Sequence, residues 1–284
     1  MYIALQPIST ENIKGRAIKV QLGGYHSMLL DDLGKIYITG NNPFGLLGLG
    51  DTVDRDVFTE IILPEGTKIK DIAVSEYTSY ALDEEGNLWA WGYNQSGQVG
   101  DGTNIDVNFP KIVETDVKVI EVSFLGLSAY IIKNDGKLYS SGSDQYGQLG
   151  LDLGVNDRNV FTHVPFFDDK EIVDIRAGTS HVMVLTSEGD IYVAGYNLYG
   201  QLGIGNNINV EEFEQNMVIP AGKRAVRIFD SANTSFVELD DGQIWGCGRN
   251  QYGTLGFQSS YSVGGGSDLN KNFLTNIVTL EMVQ

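Results

Sequence analysis

Residues 86–100 read GNLWAWGYNQSGQVG and residues 189–203 read GDIYVAGYNLYGQLG. In each stretch glycine stands at the first position and again six, eleven and fourteen residues on, and the same four recur from Gly34, Gly136 and Gly242. All twenty positions are glycine. Counting from the first glycine of each copy, an aromatic always stands at +3 (Tyr37, Trp89, Tyr139, Tyr192, Trp245) and an Asn or Asp at +8 (Asn42, Asn94, Asp144, Asn197, Asn250). The copies are spaced 50 to 53 residues apart, the mark of a repeat architecture.

The register continues upstream. GYHSMLLDDL, EYTSYALDEE, GLSAYIIKND, TSHVMVLTSE and ANTSFVELDD precede the five first glycines, and before these Val20, Ile72, Val122, Ile175 and Ile228 hold one apolar register. Alternation rich in Val, Ile and Tyr, bounded by Gly and acidic residues, reads as strand. LGK, EGN, DGK, EGD and DGQ supply a hairpin turn between the second and third strands, since glycine reaches positive φ without steric cost. VFTEIILP, NFPKIVE and VFTHVPFF supply a looser fourth strand. The pattern predicts an all-β chain, a β-propeller of five blades with four antiparallel strands each. The +3 aromatics are expected to pack between blades, and the +8 Asn or Asp to bond its own turn.

GYNQSGQVGDGT, GSDQYGQLGLD and GYNLYGQLGIGN, with AGTSH and LGGYHS, resemble the repeat of the regulator of chromosome condensation (RCC1) family. The likeness runs from about residue 15 to 257. Against the family pattern, the turn histidine survives as His26 and His181 and is Thr78, Ser128 and Thr234 elsewhere; the glycine three residues before it is Gly23 and Gly178, but Ser75, Leu125 and Ser231 elsewhere. The best-known members close with seven blades, whereas five motifs are present here. MYIALQPIS and NFLTNIVTLEM each look like a fourth strand, one of which could pair with the other end of the chain. A closed five-bladed ring is the expectation and an open or incomplete ring the alternative. The repeat cores are placed at about 15–56, 67–108, 117–158, 170–211 and 223–258 of one domain, with 259–284 a loop and closing strand.

Net charge is −18 and the pI about 4.4, so the surface repels phosphate backbones and anionic lipid. No Lys/Arg-rich arm is present, which argues against the chromatin binding known for the founding family member and favours a basic partner surface. The single cysteine, Cys247, cannot form an intramolecular disulfide. The first residues lack the basic and apolar regions of an export signal, and no run of 18 apolar residues exists. A reducing compartment, cytoplasmic or nuclear, is expected, and a bacterial protein delivered to a host cell without a cleaved signal would look the same.

Chemistry-bearing residues are few. His26 and His181 occupy equivalent turns and read as hydrogen-bonding turn residues, while His163 falls in an outer strand. No metal, cofactor or nucleotide site is expected. Acids cluster in the repeat turns and connectors and obey the repeat register, which reads as solvated surface; a carbohydrate-active propeller would instead need two acids facing across the channel. In the resembled family, the rim bearing the histidine turns docks a Ran-type small GTPase and promotes nucleotide release. Carried over, that implies His26, His181 and the acidic Glu76 as contact residues, with the connector from Leu151 as the one place for an inserted wedge. A blocking or scaffold propeller, as in a β-lactamase inhibitor with similar phrases, would use the rim aromatics Tyr25, Tyr77 and Phe124.

Overall fold

A computed structural model describes residues 11–151, 154, 156–215, 219–251, 253–256 and 271–278. Blade 1 is β1 (Ala17–Leu22), β2 (His26–Asp31), β3 (Ile36–Gly40) and β4 (Arg55–Glu60), hydrogen-bonded in that order. Blade 2 is β5 (Ile69–Val74), β6 (Thr78–Asp83), β7 (Leu88–Gly92) and β8 (Val107–Glu114). Blade 3 is β9 (Val117–Val122), β10 (Ser128–Lys133), β11 (Leu138–Gly142) and β12 (Arg158–His163). Blade 4 is β13 (Ile172–Ala177), β14 (His181–Thr186), β15 (Ile191–Gly195) and β16 (Val210–Gln215). Blade 5 is β17 (Ala225–Ser231), β18 (Thr234–Leu239), β19 (Ile244–Gly248) and β20 (Lys271–Val278). Every adjacent pair is antiparallel, as the alternation predicts. No helix among the described residues is long and apolar enough to cross a membrane.

The glycines are explained by how closely the blades approach. At +14, Gly48, Gly100 and Gly150 sit in the left-handed region, and a Cβ there would lie 2.7 Å from Trp91, 2.5 Å from Phe161 and 2.4 Å from Phe213, each in the next blade. At +11, a Cβ on Gly45 or Gly97 would meet the outer strand of the next blade, 2.4 Å from Asn108 or Asn159. Side chains there would part the joints.

The +8 residues bond their own loop. Asn94 Oδ1 accepts from Val99 N at 3.0 Å, and its Nδ2 donates to the carbonyls of Thr103 and Ile105. The bond to the +13 amide recurs from Leu47 to Asn42, Leu149 to Asp144, Leu202 to Asn197 and Leu255 to Asn250. The +3 aromatics of blades 1, 2 and 5 depart from expectation and anchor the hairpin of their own blade, whereas Tyr192 of blade 4 packs as expected on Phe166 and Phe167, which follow β12 of blade 3, with ring centres 5.0 and 5.7 Å away. Tyr37 donates to Asp31 Oδ2 at 3.1 Å and Trp89 Nε1 to Asp83 Oδ2 at 3.0 Å, both carboxylates that also receive turn amides. The Lys133 ammonium lies 4.8 Å from the centre of the Tyr139 ring. The joints are also bonded at +5, where Trp91 donates to Leu46 O, Ser141 to Gln98 O and Cys247 to Gln201 O of the preceding blade.

Three further expectations are corrected. Ile120, not Val122, shares the register of Ile72, because it pairs with Ile131 as Ile72 pairs with Ala81. The turn of blade 3 is two residues longer than the others: Ser123 N bonds Ser128 O where Ser75 N bonds Thr78 O, so Ser123 and not Leu125 stands at the family glycine position. The C-terminal strand β20 pairs with β19 as the outer strand of its own blade rather than bridging to the other end. The segment MYIALQPIS and residues 257–270 lie outside the described residues.

Four joints, from blade 1 through blade 5, are packed. On the face each blade turns to its predecessor, Ile72, Ile120, Ile175 and Ile228 are at most 6% exposed, whereas their counterpart Val20 is 52% exposed, with Ile18 and Leu22 also exposed. Among the described residues, this face of blade 1 is uncovered.

Candidate functional site

The β1–β2, β5–β6, β9–β10, β13–β14 and β17–β18 turns gather on one rim. There the backbone links blades in series: Glu76 N bonds Phe124 O, Phe124 N bonds Gly178 O, and Thr179 N bonds Ala232 O. Just beneath lie the two histidines. His26 Nε2 is 2.7 Å from Ser79 Oγ of the next blade, which bonds Leu46 O in the histidine's own blade. His181 Nε2 is 3.0 Å from Ser235 Oγ, which bonds Gln201 O in the same way. Each imidazole thus bolts one joint. Burial holds both well below the usual histidine range, at about 4, because the charged ring would lose its water.

Above these bolts is an aromatic recess of about 530 Å³ lined by Tyr25, Pro43, Phe44, Tyr77, Tyr93 and Leu127. The ring centres of Phe44 and Tyr93 are 5.0 Å apart, Tyr25 and Tyr77 5.5 Å, Tyr77 and Tyr93 5.8 Å, and Phe44 and Tyr77 6.4 Å. Tyr25 and Phe44 are more than 40% exposed, and Phe44 is held at φ 64°, a conformation bulky residues avoid. Hydrogen bonds linking Tyr77 to Tyr25 and Glu76 push the Tyr77 hydroxyl up to about 12. The recess follows the repeat: Phe44 is +10 in blade 1 and Tyr93 is +7 in blade 2. The same pairing gives Tyr146 with Tyr196 at 4.8 Å between blades 3 and 4, and the Arg249 guanidinium 5.1 Å over Tyr199 between blades 4 and 5. Between blades 2 and 3 both positions are serine, Ser96 and Ser143.

The inner strands enclose a second cavity of about 640 Å³, lined by residues of all five blades. Two ion pairs cross the joints, Lys19 with Asp71 and Arg176 with Glu121 at 3.6 Å, and Arg176 also meets Asp174 of its own strand at 3.2 Å. Burial pushes the Glu121 carboxyl up to about 7 against the pull of Arg176, and raises Asp230 well above the carboxylate range. Asp230 Oδ2 has no hydrogen-bond partner, its nearest basic atom being His181 Nε2 at 3.8 Å. No group of three or more acidic, His or Cys side chains suited to a metal ion occurs among the described residues.

Profiles of the regulator of chromosome condensation (RCC1) repeat match residues 85–124 and 135–185, and in a second version 69–98 and 172–201. The chain belongs to the RCC1-repeat family. The ultraviolet-B receptor UVR8 of Arabidopsis thaliana is 28% identical over 256 residues, covering 89% of this chain and 58% of the receptor. The X-linked retinitis pigmentosa GTPase regulator of Mus musculus is 42% identical over 208 residues, covering 71% of this chain and 20% of the regulator. The chain therefore spans between about a fifth and three-fifths of the length of these relatives. Among solved structures, Prp20p of Saccharomyces cerevisiae superposes with a TM-score of 0.76 at 20% identity, over 94% of this chain and 64% of that one; it is described with its binding to Gsp1p and histones. Human WBSCR16 gives 0.67 at 23% identity, over 78% of this chain and 57% of that one. At such identities the structures share the fold.

Of the residues the RCC1 resemblance and the rim aromatics single out, the structure brings Tyr25, Glu76 and Tyr77 together at one edge of the rim, with Phe124 bonded through its backbone to Glu76. His26 and His181 are at most 3% exposed and are spent on the joints, so they present no imidazole to a surface partner. The connector from Leu151 ends in β12, an ordinary outer strand of its RCC1 blade; residues 152, 153 and 155 lie outside the described set. Phe44 and Tyr93 were missed, as were Tyr146, Tyr196 and Tyr199. Their signal was present in the repeat: an aromatic at +7 in two copies and at +10 in others. The channel acids Glu121 and Asp230 sit within β9 and β17, away from the turns where the repeat gathers its acids, so the repeat pattern does not mark them.

Proposed function

We propose that this RCC1 propeller is a non-enzymatic protein-binding module whose histidine-turn rim grips its partner, with a Ran-type small GTPase as the specific candidate. The observation that carries the reading is the exposed aromatic recess beside Glu76 on a rim held rigid by inter-blade backbone bonds. Exposed aromatics on a rigid frame concentrate binding energy at little cost in ordering. The description of Prp20p with Gsp1p and the GTPase-regulator relative make a small GTPase the first partner to try. Nucleotide exchange is a narrower reading, since no wedge is present among the described residues. The test is release of fluorescent GDP from Ran with and without the protein: acceleration lost in Glu76→Ala supports exchange, and binding without acceleration supports a scaffold. No binding to Ran or to a panel of other small GTPases would overturn the GTPase assignment.

A second reading, a carbohydrate-active channel, has one observation in its favour, the two raised carboxyls Glu121 and Asp230 in one cavity. Turnover of nitrophenyl glycosides, abolished in both Glu121→Gln and Asp230→Asn, would establish it; an inert wild-type protein removes it.

A further inference from the structure

The recess at the joint of blades 1 and 2 has a particular electrostatic character. Four aromatic rings line it, no Lys or Arg is among the lining residues, and Glu76, which itself lines the neighbouring channel cavity, is hydrogen-bonded to the Tyr77 side chain. Ring faces carry negative potential, so a cation placed over them gains energy, most of all when it sheds little water on arrival. Guanidinium is the weakly hydrated, planar cation among side chains. The protein as a whole, at −18, adds attraction for a positively charged segment.

The molecule also contains its own example of an occupied site. At the joint of blades 4 and 5 the +10 aromatic is Tyr199 and the +7 residue is Arg249, whose guanidinium lies 5.1 Å from the ring centre. At the joint of blades 1 and 2 the +10 residue is Phe44, but +7 is Tyr93, and Tyr25 and Tyr77 add two further faces. The same ledge thus carries more ring surface and has no internal cation to cover it. Phe44 is kept there at φ 64°, and such backbone strain persists where surrounding structure holds it and concentrates at binding sites.

We propose that the recess of Tyr25, Phe44, Tyr77 and Tyr93 is a receptor for an arginine-bearing peptide segment, the guanidinium seated on the ring faces with Glu76 as its counter-charge. The assignment rests on the protein-binding reading of the rim and names the partner chemistry that rim would recognise.

The probe is a fluorescent peptide of three Arg-Gly-Gly repeats, titrated by anisotropy in about 0.15 M salt so that general attraction is screened. Lys-Gly-Gly and Gln-Gly-Gly peptides of equal length are titrated beside it. The arginine peptide is expected to bind at least about tenfold more tightly than the glutamine one. Phe44→Leu and Tyr93→Leu, which keep apolar bulk and remove the ring, and Glu76→Gln should each weaken binding several-fold at unchanged melting temperature. Glu84→Gln removes the same charge at the opposite end of β6 and should leave binding unaltered. Equal affinity for the glutamine peptide, lysine binding at least as tightly as arginine, or full affinity in both leucine variants would overturn the proposal. Ran binding is measured on the same variants. Peptide binding lost everywhere while Ran still binds at the rim would sink this site alone, and peptide binding intact without Ran binding would sink the GTPase assignment alone.

Discussion

At the residue scale, the buried histidines make stability depend on pH. His26 and His181 titrate near 4 in the folded chain against about 6.5 when unfolded, so the unfolded chain takes up protons first as pH falls. Their contribution is fully present above 6.5 and is lost between 6.5 and 4, on the order of 3 kcal/mol for each. Urea denaturation at several pH values should show a shallower loss over this window in His26→Gln and His181→Gln, even if both start from lower stability. Asp144 runs the other way. Burial raises its carboxyl to about 6, so its contribution is present below the unfolded value near 3.8 and lost as pH climbs through 6. Asp144→Asn, which installs the residue found at this position in the other four blades, should raise the melting temperature at pH 7 by a few degrees, roughly 1–2 kcal/mol, and by less at pH 4. The +8 role was legible in the sequence because an Asn in a Gly-rich turn has few other uses. The histidine role was only half legible: hydrogen bonding was foreseen, but the partner, a serine about 54 residues on, is visible only once blades are side by side.

At the element scale, strand order and hairpins followed from period-two alternation and recurrent acid–Gly turns, and five four-stranded blades resulted. What the pattern could not reveal was which glycines serve backbone conformation alone and which serve close approach. Gly100 and Gly102 separate the two. Both lie at positive φ, but a Cβ on Gly100 would lie 2.5 Å from Phe161, and one on Gly102 has 3.9 Å of clearance. Gly102→Ala should cost about 1 kcal/mol for the left-handed backbone, and Gly100→Ala about 3 kcal/mol or more once overpacking is added. Chemical denaturation of the two variants measures the difference. The +3 aromatics of blades 1, 2 and 5 differ from expectation for a related reason. An aromatic in a strand has two faces to choose from, and only a nearby carboxylate such as Asp83 shows that the Trp89 indole turns back to its own hairpin.

At the scale of the whole molecule, the joints decide what is core. Val20 and Ile72 occupy one register and look equivalent in sequence, yet one is half exposed and the other fully buried, because no described blade precedes the first. Val20→Lys should therefore change stability by no more than about 0.5 kcal/mol, while Ile72→Lys should cost more than about 4 kcal/mol or prevent folding. Equal damage from both would mean that blade 1 is covered in solution. The same geometry explains why the aromatic recess is not legible in the sequence: its rings come from two blades and four turns, and only the packed blades assemble them. The rim is where rigid joints and exposed aromatics coincide, which makes it the proposed place of partner binding. The most direct measurement is a calorimetric titration of GDP-loaded Ran with the wild-type protein and with Tyr77→Ala. Saturable binding, weakened at least about tenfold in a variant with unchanged circular dichroism, is the predicted result. Binding of equal strength by both proteins, or none by the wild type, would contradict it.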